Sequence, residues 1–156
     1  MDNETFARRV DGLKGRLYRT ALLYLGSEAD ALEAVDEAVY RALRGLKQLR
    51  QPEYFDTWIT RILINTCCRE LRRRKHFADN ALPESAGPDA YDGLPLREAV
   101  RRLPEDLRKV VILRYFTGLT LEETARSLDL PRGTVATRQR KALALLRLEL
   151  GEEGNG

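Results

Sequence analysis

Hydroxyl and basic side chains cluster near the C-terminal end of the sequence, shortly after the turn LPRG at 130–133. Side chains of these two types donate hydrogen bonds to base edges and phosphate oxygens of duplex DNA. The spacing predicts that the cluster lies in the first turns of a final helix, from Val135 to about Leu150, which Thr134 caps. The exposed early positions of this helix are Thr137, Arg138, Arg140 and Lys141.

A short helix is predicted immediately before that turn. The sequence TLEE at 120–123 is a capping box, and Ala125 and Leu128 fall on the inward side of the helix that it opens. Two short helices joined by a glycine-containing turn form the helix-turn-helix layout, in which the second helix enters the major groove of DNA. The pattern favours duplex-DNA binding, and an antiparallel helix pair with a solvated basic face is the alternative.

A second basic surface is predicted on a helix that begins at about Phe55 and ends in the basic run at 72–75. Steps of three and four residues place one stripe of basic and amide side chains on this helix, beside aromatic residues. Cations follow phosphates, and aromatic faces can stack on unpaired bases, so this surface suits single-stranded or melting DNA. Trp58 could instead be a core residue, and we favour that interpretation for this side chain. The stripe comprises Arg61, Asn65, Arg69 and Arg72, beside Tyr54 and Trp58.

The apolar residues of the N-terminal half recur with helical periodicity. A first helix has one apolar face and ends at Gly26, and Ser27 caps a second helix from about Glu28 to Leu46. No stretch alternates with a period of two, so the predicted fold class is all-α. The first face comprises Phe6, Val10, Leu13, Leu17, Ala21 and Leu22, and one side of the second helix carries Leu32, Val35, Val39 and Leu43.

The C-terminal half also contains helical patterns before the helix-turn-helix. A short helix is predicted from Leu96 to Arg102, and Pro104 stands at the start of another that ends at Gly118. The residues that this second helix is expected to bury are Leu107, Val110, Val111, Leu113 and Tyr115.

The stretch at 76–95 interrupts the helical patterns with three prolines and contains no Lys or Arg. Such a composition predicts a flexible linker. The expected organisation is therefore a helical domain at 1–75, the linker at 76–95, a helical domain at 96–150 and a flexible tail at 151–156.

Composition excludes several functional classes. The lone His76, the adjacent Cys67 and Cys68, the lack of a glycine-rich phosphate loop and the lack of metal-ligand spacing leave nothing to carry catalysis. We therefore expect no enzyme activity, no metal and no cofactor, and we interpret both cysteines as small helix residues rather than redox sensors. No apolar run is long enough to span a membrane, and the N-terminus lacks a secretory pattern, so a cytoplasmic protein without membrane insertion is expected.

The motifs in register resemble the sigma-70 type initiation factors, specifically the small extracytoplasmic-function group with two helical domains. The C-terminal half resembles the region 4 domain that binds the −35 promoter element. The N-terminal half resembles the region 2 domain that binds polymerase and opens the −10 element. The motifs are LPEDLR at 103–108, LRY at 113–115, GLTLEETA at 118–125 and LPRGTV at 130–135, with FDTWITRI at 55–62, Asn65-Thr66 and the arginines at 72–74.

The resemblance implies roles for individual residues. The loop at 50–54 would hold a flipped base of the −10 element, with contacts from Tyr54, Trp58, Arg61, Asn65, Arg69 and Arg72. The −35 element would be contacted by Arg114, Pro131, Arg132, Thr134, Ala136, Thr137, Arg138, Arg140 and Lys141. The polymerase clamp helices would dock on Glu33, Asp36, Glu37 and Arg41. The implied partners are core RNA polymerase, through its clamp helices and flap, promoter DNA and an anti-sigma factor.

Three positions depart from the family pattern. Ala136 replaces a common basic residue, Ala34 a frequent leucine, and Gln139 a residue that is usually apolar. Gln139 is either a half-buried polar residue that needs a partner, which we favour, or a sign that the recognition helix is slightly rotated. A helix-turn-helix regulator that binds DNA without polymerase is the alternative function. The N-terminal motifs argue against it.

Overall fold

The computed structural model describes residues 1–78 and 95–149, and all regular elements in these ranges are helices. The predicted all-α fold class is confirmed. Short 3₁₀ turns cover Leu46–Gln48 and Pro52–Tyr54, and a π-helical segment covers Ile112–Thr117. The α-helices are α1 (Asn3–Leu25), α2 (Glu28–Arg44), α3 (Phe55–Ala78), α4 (Pro95–Arg102), α5 (Glu105–Val111), α6 (Leu121–Leu128) and α7 (Arg132–Glu149).

Helices α1 to α3 form one compact unit, and α4 to α7 form a second. The stretch predicted as a linker begins inside α3, which continues to Ala78, and its last residue, Pro95, begins α4. The remainder of that stretch and the predicted tail at 151–156 lie outside the described residues. No helix in the two described ranges combines the length and the apolar character that a membrane crossing requires.

Helix α1 buries the face that its spacing predicts. Five of the six predicted residues are buried, and Leu22 is half-buried. Gly26 ends the helix in the left-handed region, at a φ of 72°, and its N–H donates to the carbonyl of Leu22. The Ser27 side chain accepts from the N–H of Asp30, so the predicted cap of α2 is confirmed.

Helix α2 packs through small side chains. Alanines at 31, 34, 38 and 42 are buried with Val35, whereas Leu32 is 55% exposed and Leu43 is 43% exposed. The side on which we placed four large apolar residues is therefore only partly buried, because the alanine face lets α2 approach its neighbours closely. The helix ends at Arg44, two residues before the predicted end, and a 3₁₀ turn follows.

Helix α3 supplies the largest buried side chains of the N-terminal unit. Phe55, Ile59 and Leu63 are fully buried, whereas Trp58 is half-buried with its ring centroid 6.0 Å from that of Phe55. Both thiols are buried as well, and burial, followed by the neighbouring thiol, raises the pKa of Cys67 to about 12.

The π-helical segment explains one wrong prediction in the C-terminal unit. Leu107, Val110, Val111 and Leu113 are buried as expected, but Tyr115 is 48% exposed. The wider turn of a π-helix shifts the residues after Ile112 away from the α-helical register that we assumed. Gly118 ends the segment in the left-handed region, at a φ of 86°.

The predicted helix-turn-helix is present, but its second helix begins earlier than the sequence predicted. The capping box of α6 is confirmed by reciprocal bonds between Thr120 and Glu123, of 3.0 Å and 2.9 Å. Helix α7 begins at Arg132, so the prediction that Thr134 caps it is wrong. The N–H groups of Thr134 and Val135 both donate to the carbonyl of Pro131, because the proline starts the helix earlier.

Candidate nucleic-acid and protein interfaces

The beginning of α7 presents a polar and basic surface. The side-chain hydroxyl of Thr137 donates to the carbonyl of Gly133 at 3.0 Å, and Nη2 of Arg140 lies 3.5 Å from the same hydroxyl. The exposed residues are Pro131, Arg132, Thr137, Arg140 and Lys141, and the half-buried ones are Thr134, Ala136 and Arg138. Eight of the nine residues assigned to the −35 element thus lie together on α7 or on the turn before it.

Two of the basic residues assigned to −35 DNA make contacts between different elements of the C-terminal unit. Nε of Arg138 lies 3.9 Å from Oδ2 of Asp106 on α5, a long and partly exposed ion pair that is therefore weak. Arg114, in the π-helical segment, donates from Nε to Oε1 of Gln139 at 2.8 Å and from Nη1 to the carbonyl of Leu119 at 2.7 Å. Gln139 is half-buried with a partner, which agrees with the interpretation that we favoured.

The stripe on α3 is solvent-facing along its whole length. Arg61, Asn65, Arg69 and Arg72 are all exposed, and the half-buried Tyr54 and Trp58 lie at its N-terminal end. The side chain of Thr57 donates to the carbonyl of Tyr54 at 3.1 Å, which ties the loop at 50–54 to the first turn of α3. Cationic, amide and aromatic groups are thus available on one helix and the loop that precedes it.

Arg9 of α1 holds the same loop from the other side. Its guanidinium donates to the carbonyl of Pro52 at 3.3 Å, pairs with Oδ1 of Asp56 at 3.0 Å and lies 5.0 Å from the centroid of the Phe55 ring. Sequence reasoning missed Arg9, because its partners are more than forty residues away along the chain. No local pattern signals a contact of that kind.

Arg74 belongs to the basic run but is turned toward the protein. Its guanidinium donates to the carbonyl of Leu25 at 2.9 Å and pairs with Asp30, and its Nε lies 3.5 Å from Oε1 of Glu70. It therefore joins α3 to the end of α1 and the start of α2. A cation there also stabilises the negative end of the α1 dipole.

The exposed face of α2 carries acidic residues beside a groove toward α3. Glu33, Asp36, Glu37 and Arg41 line this groove, and Arg41 pairs with Glu37 at 2.8 Å. The α3 side of the groove contributes Arg69, Glu70 and Arg73, and the hydrogen bond from Arg73 lowers the pKa of Glu70. The groove therefore has an acidic rim on α2 and a mixed rim on α3, which suits a partner with exposed basic groups.

Comparisons with known proteins agree with this architecture. The family model for sigma-70 region 2 matches residues 10–77, and that for sigma-70 region 4 matches residues 99–148. The RNA polymerase sigma factor SigV of Bacillus subtilis is 36% identical, and the alignment covers 90% of this chain and 87% of that protein. The ECF RNA polymerase sigma factor SigW of the same organism is 28% identical, with 96% and 90% covered.

A solved structure has the same fold at low identity. The sigma factor RpoE of Bartonella quintana, in complex with the anti-sigma factor NepR, superposes with a TM-score of 0.79 at 20% identity, over 96% of this chain and 99% of that chain. Both family models and the relatives in Bacillus subtilis therefore indicate the same family. The chain belongs to the sigma-70 family, as an RNA polymerase sigma factor of the extracytoplasmic-function group that acts in transcription initiation.

Proposed function

We propose that this sigma factor docks on core RNA polymerase through the acidic face of α2 and selects promoters with two separate DNA-binding surfaces. The N-terminal part of α7 contacts a duplex −35 element, while the α3 stripe and the loop at 50–54 bind the −10 element and assist its melting. One observation carries the proposal: the basic side chains form two surfaces of different chemistry, one with aromatic neighbours on α3 and one at a helix-turn-helix.

The acidic face of α2 supports the docking step. Its three carboxylates occupy positions 33, 36 and 37 on the exposed side of the helix, and large apolar side chains at Leu32 and Leu43 lie exposed on the same helix. A rim of charge beside exposed apolar groups is the usual composition of a protein-binding surface. The polymerase clamp helices are the proposed occupant.

Inhibition by an anti-sigma partner is part of the proposal. The Bartonella quintana relative was solved with such a partner. An anti-sigma factor that covers the exposed surface of α2 would exclude polymerase from the same residues, so binding of the two proteins would be mutually exclusive.

Reconstitution with core polymerase tests the function directly. The purified chain is mixed with bacterial core RNA polymerase, and co-elution and transcription from a randomised promoter library are measured. We expect a complex that initiates selectively and reveals both promoter elements. Tight duplex binding without a polymerase complex would instead indicate the stand-alone helix-turn-helix regulator.

The two DNA surfaces make separable predictions. We expect Arg138→Ala to weaken binding of a duplex −35 fragment about tenfold, and Arg61→Ala to slow promoter opening about tenfold, since one lost contact to DNA removes roughly 1–3 kcal/mol. Opening is followed by permanganate reactivity of the −10 thymines. An equal loss of polymerase binding in either variant would contradict this division of roles.

Arg9 is expected to matter for opening although it lies outside the DNA surfaces. Arg9→Met removes the bonds to Pro52 and Asp56 while keeping an apolar stem against Phe55, so the loop at 50–54 loses its fixed conformation. We expect opening to slow about three- to tenfold, with duplex −35 binding unchanged. The matched control is Arg8→Met, at an exposed position next to it. Equal effects of the two variants would show that the loop does not depend on Arg9.

A further inference from the structure

Arg114 is bound inside the C-terminal unit by three contacts. Its Nε donates to Gln139 on α7, its Nη1 donates to the carbonyl of Leu119 just before α6, and its guanidinium lies 5.6 Å from the centroid of the Tyr115 ring. One side chain of the π-helical segment thus connects α7 with the backbone two residues before the start of α6.

Gln139 belongs to the inward side of α7. It follows the fully buried Val135 by four residues and precedes the fully buried Ala142 by three, so all three side chains share one helix face. Its Oε1 accepts from Arg114, and this bond satisfies a polar group that packing alone would leave without a partner. An apolar side chain at this position would offer the arginine no acceptor.

A bidentate phosphate contact by Arg114 would compete with these bonds, because each fork-like edge of the guanidinium includes Nε or Nη1, both of which already donate, and only Nη2 is uncommitted. The single hydrogen on Nε is already donated to Gln139, so a fork-like contact through the Nε edge would break that bond. It would leave a half-buried amide oxygen without its donor, which is costly. The planar guanidinium instead holds two acceptors at fixed positions, which restricts how α7 can rotate about its axis.

We infer that Arg114 is a positioning residue that fixes the orientation of α7 through Gln139, and that it is not a phosphate contact. The inference rests on the proposed function of α7 as the helix that contacts duplex DNA. It replaces the role that the family resemblance implied for Arg114, and it gives Gln139 a structural task in place of the usual apolar packing.

The salt dependence of promoter binding distinguishes the two roles. Holoenzymes carrying Arg114→Ala, Arg114→Lys or Gln139→Ala are titrated with a duplex promoter at several salt concentrations. We expect each variant to bind about three- to tenfold more weakly, with the wild-type slope of log K against log salt. Lysine does not rescue binding, because it cannot hold both acceptors in the arginine geometry.

The control for a true phosphate contact is Lys141→Ala, at an exposed basic position on α7, for which the slope is expected to fall by about one. If Arg114→Ala lowers the slope by the same amount, or if Arg114→Lys restores binding, the inference is overturned. Both results would mean that the charge of residue 114 acts on DNA directly.

A double-mutant cycle in the free protein tests the interaction between Arg114 and Gln139 without DNA or polymerase. We expect Arg114→Ala and Gln139→Ala each to lower the melting temperature of the C-terminal unit by roughly 4–8 °C, and the double variant to lower it by clearly less than the sum. Additive losses would overturn the inference whatever the DNA measurements show. Failure of the wild-type chain to initiate transcription would contradict the proposed function, while the cycle would still report on the coupling between Arg114 and Gln139.

Discussion

Asp36→Arg is expected to abolish binding to core RNA polymerase. Asp36 is exposed at the centre of the acidic face of α2, between Glu33 and Glu37, and forms no ion pair with any residue that the structure describes. A cation at this position would face the basic groups of the proposed partner, and juxtaposed like charges cost several kcal/mol. We expect the apparent affinity to fall by about 100-fold or more, measured by fluorescence anisotropy with labelled protein.

A second charge-reversal variant distinguishes a loss of docking from a general effect of net charge. Asp11→Arg introduces the same change on the exposed side of α1, outside the groove that Glu33, Asp36 and Glu37 line. We expect it to bind polymerase within about twofold of the wild type, because an isolated surface charge contributes little. Both variants are expected to melt at the wild-type temperature. Full polymerase binding by Asp36→Arg would show that the acidic face of α2 is not the docking surface.

Arg74→Met is expected to give the largest loss of stability among the basic residues near the end of α3. The substitution keeps much of the apolar stem but leaves the carbonyl of Leu25 and the carboxylate of Asp30 without their common donor. Because the pair is partly exposed, we expect a loss of about 1–2 kcal/mol, which corresponds to roughly 5–10 °C in the melting temperature.

The neighbouring residue provides the control for this measurement. Lys75 is exposed, and Lys75→Met is expected to change the melting temperature by less than about 2 °C, since surface substitutions away from buried contacts are usually near neutral. If both variants melted at the same temperature, Arg74 would belong to the exposed basic surface and not to the connection between α1, α2 and α3.

Local sequence patterns were sufficient to predict the α-helices and several of their ends. The caps at Ser27 and Thr120 depend on residues three positions apart, and the buried face of α1 depends on its own periodicity. Each of these features is determined by neighbours along the chain, so a single sequence contains the information. The exposed stripe on α3 and the exposed early positions of α7 follow from the same periodicity, whereas the docking residues on α2 and the individual DNA contacts were implied by the family resemblance.

The features that sequence reasoning missed depend on tertiary contacts or on a local departure from α-helical geometry. Tyr115 was assigned to the core because an α-helical register was assumed, whereas the π-helical segment shifts it outward. Arg9, Arg74 and Arg114 each have at least one partner 25 to 49 residues away in the chain. An arginine that holds a distant acceptor has the same local spacing as one that faces solvent, so these three could not be separated by pattern alone from the arginines proposed to contact DNA.

The two buried thiols make this protein convenient for labelling chemistry. Alkylating and maleimide reagents attack the thiolate, and Cys67 and Cys68 are shielded from solvent while the raised pKa of Cys67, about 12, keeps that thiol protonated at neutral pH. A cysteine introduced on an exposed face would therefore react selectively without removal of the native pair. A fluorophore placed there, with a second dye on promoter DNA, would follow strand separation in single molecules.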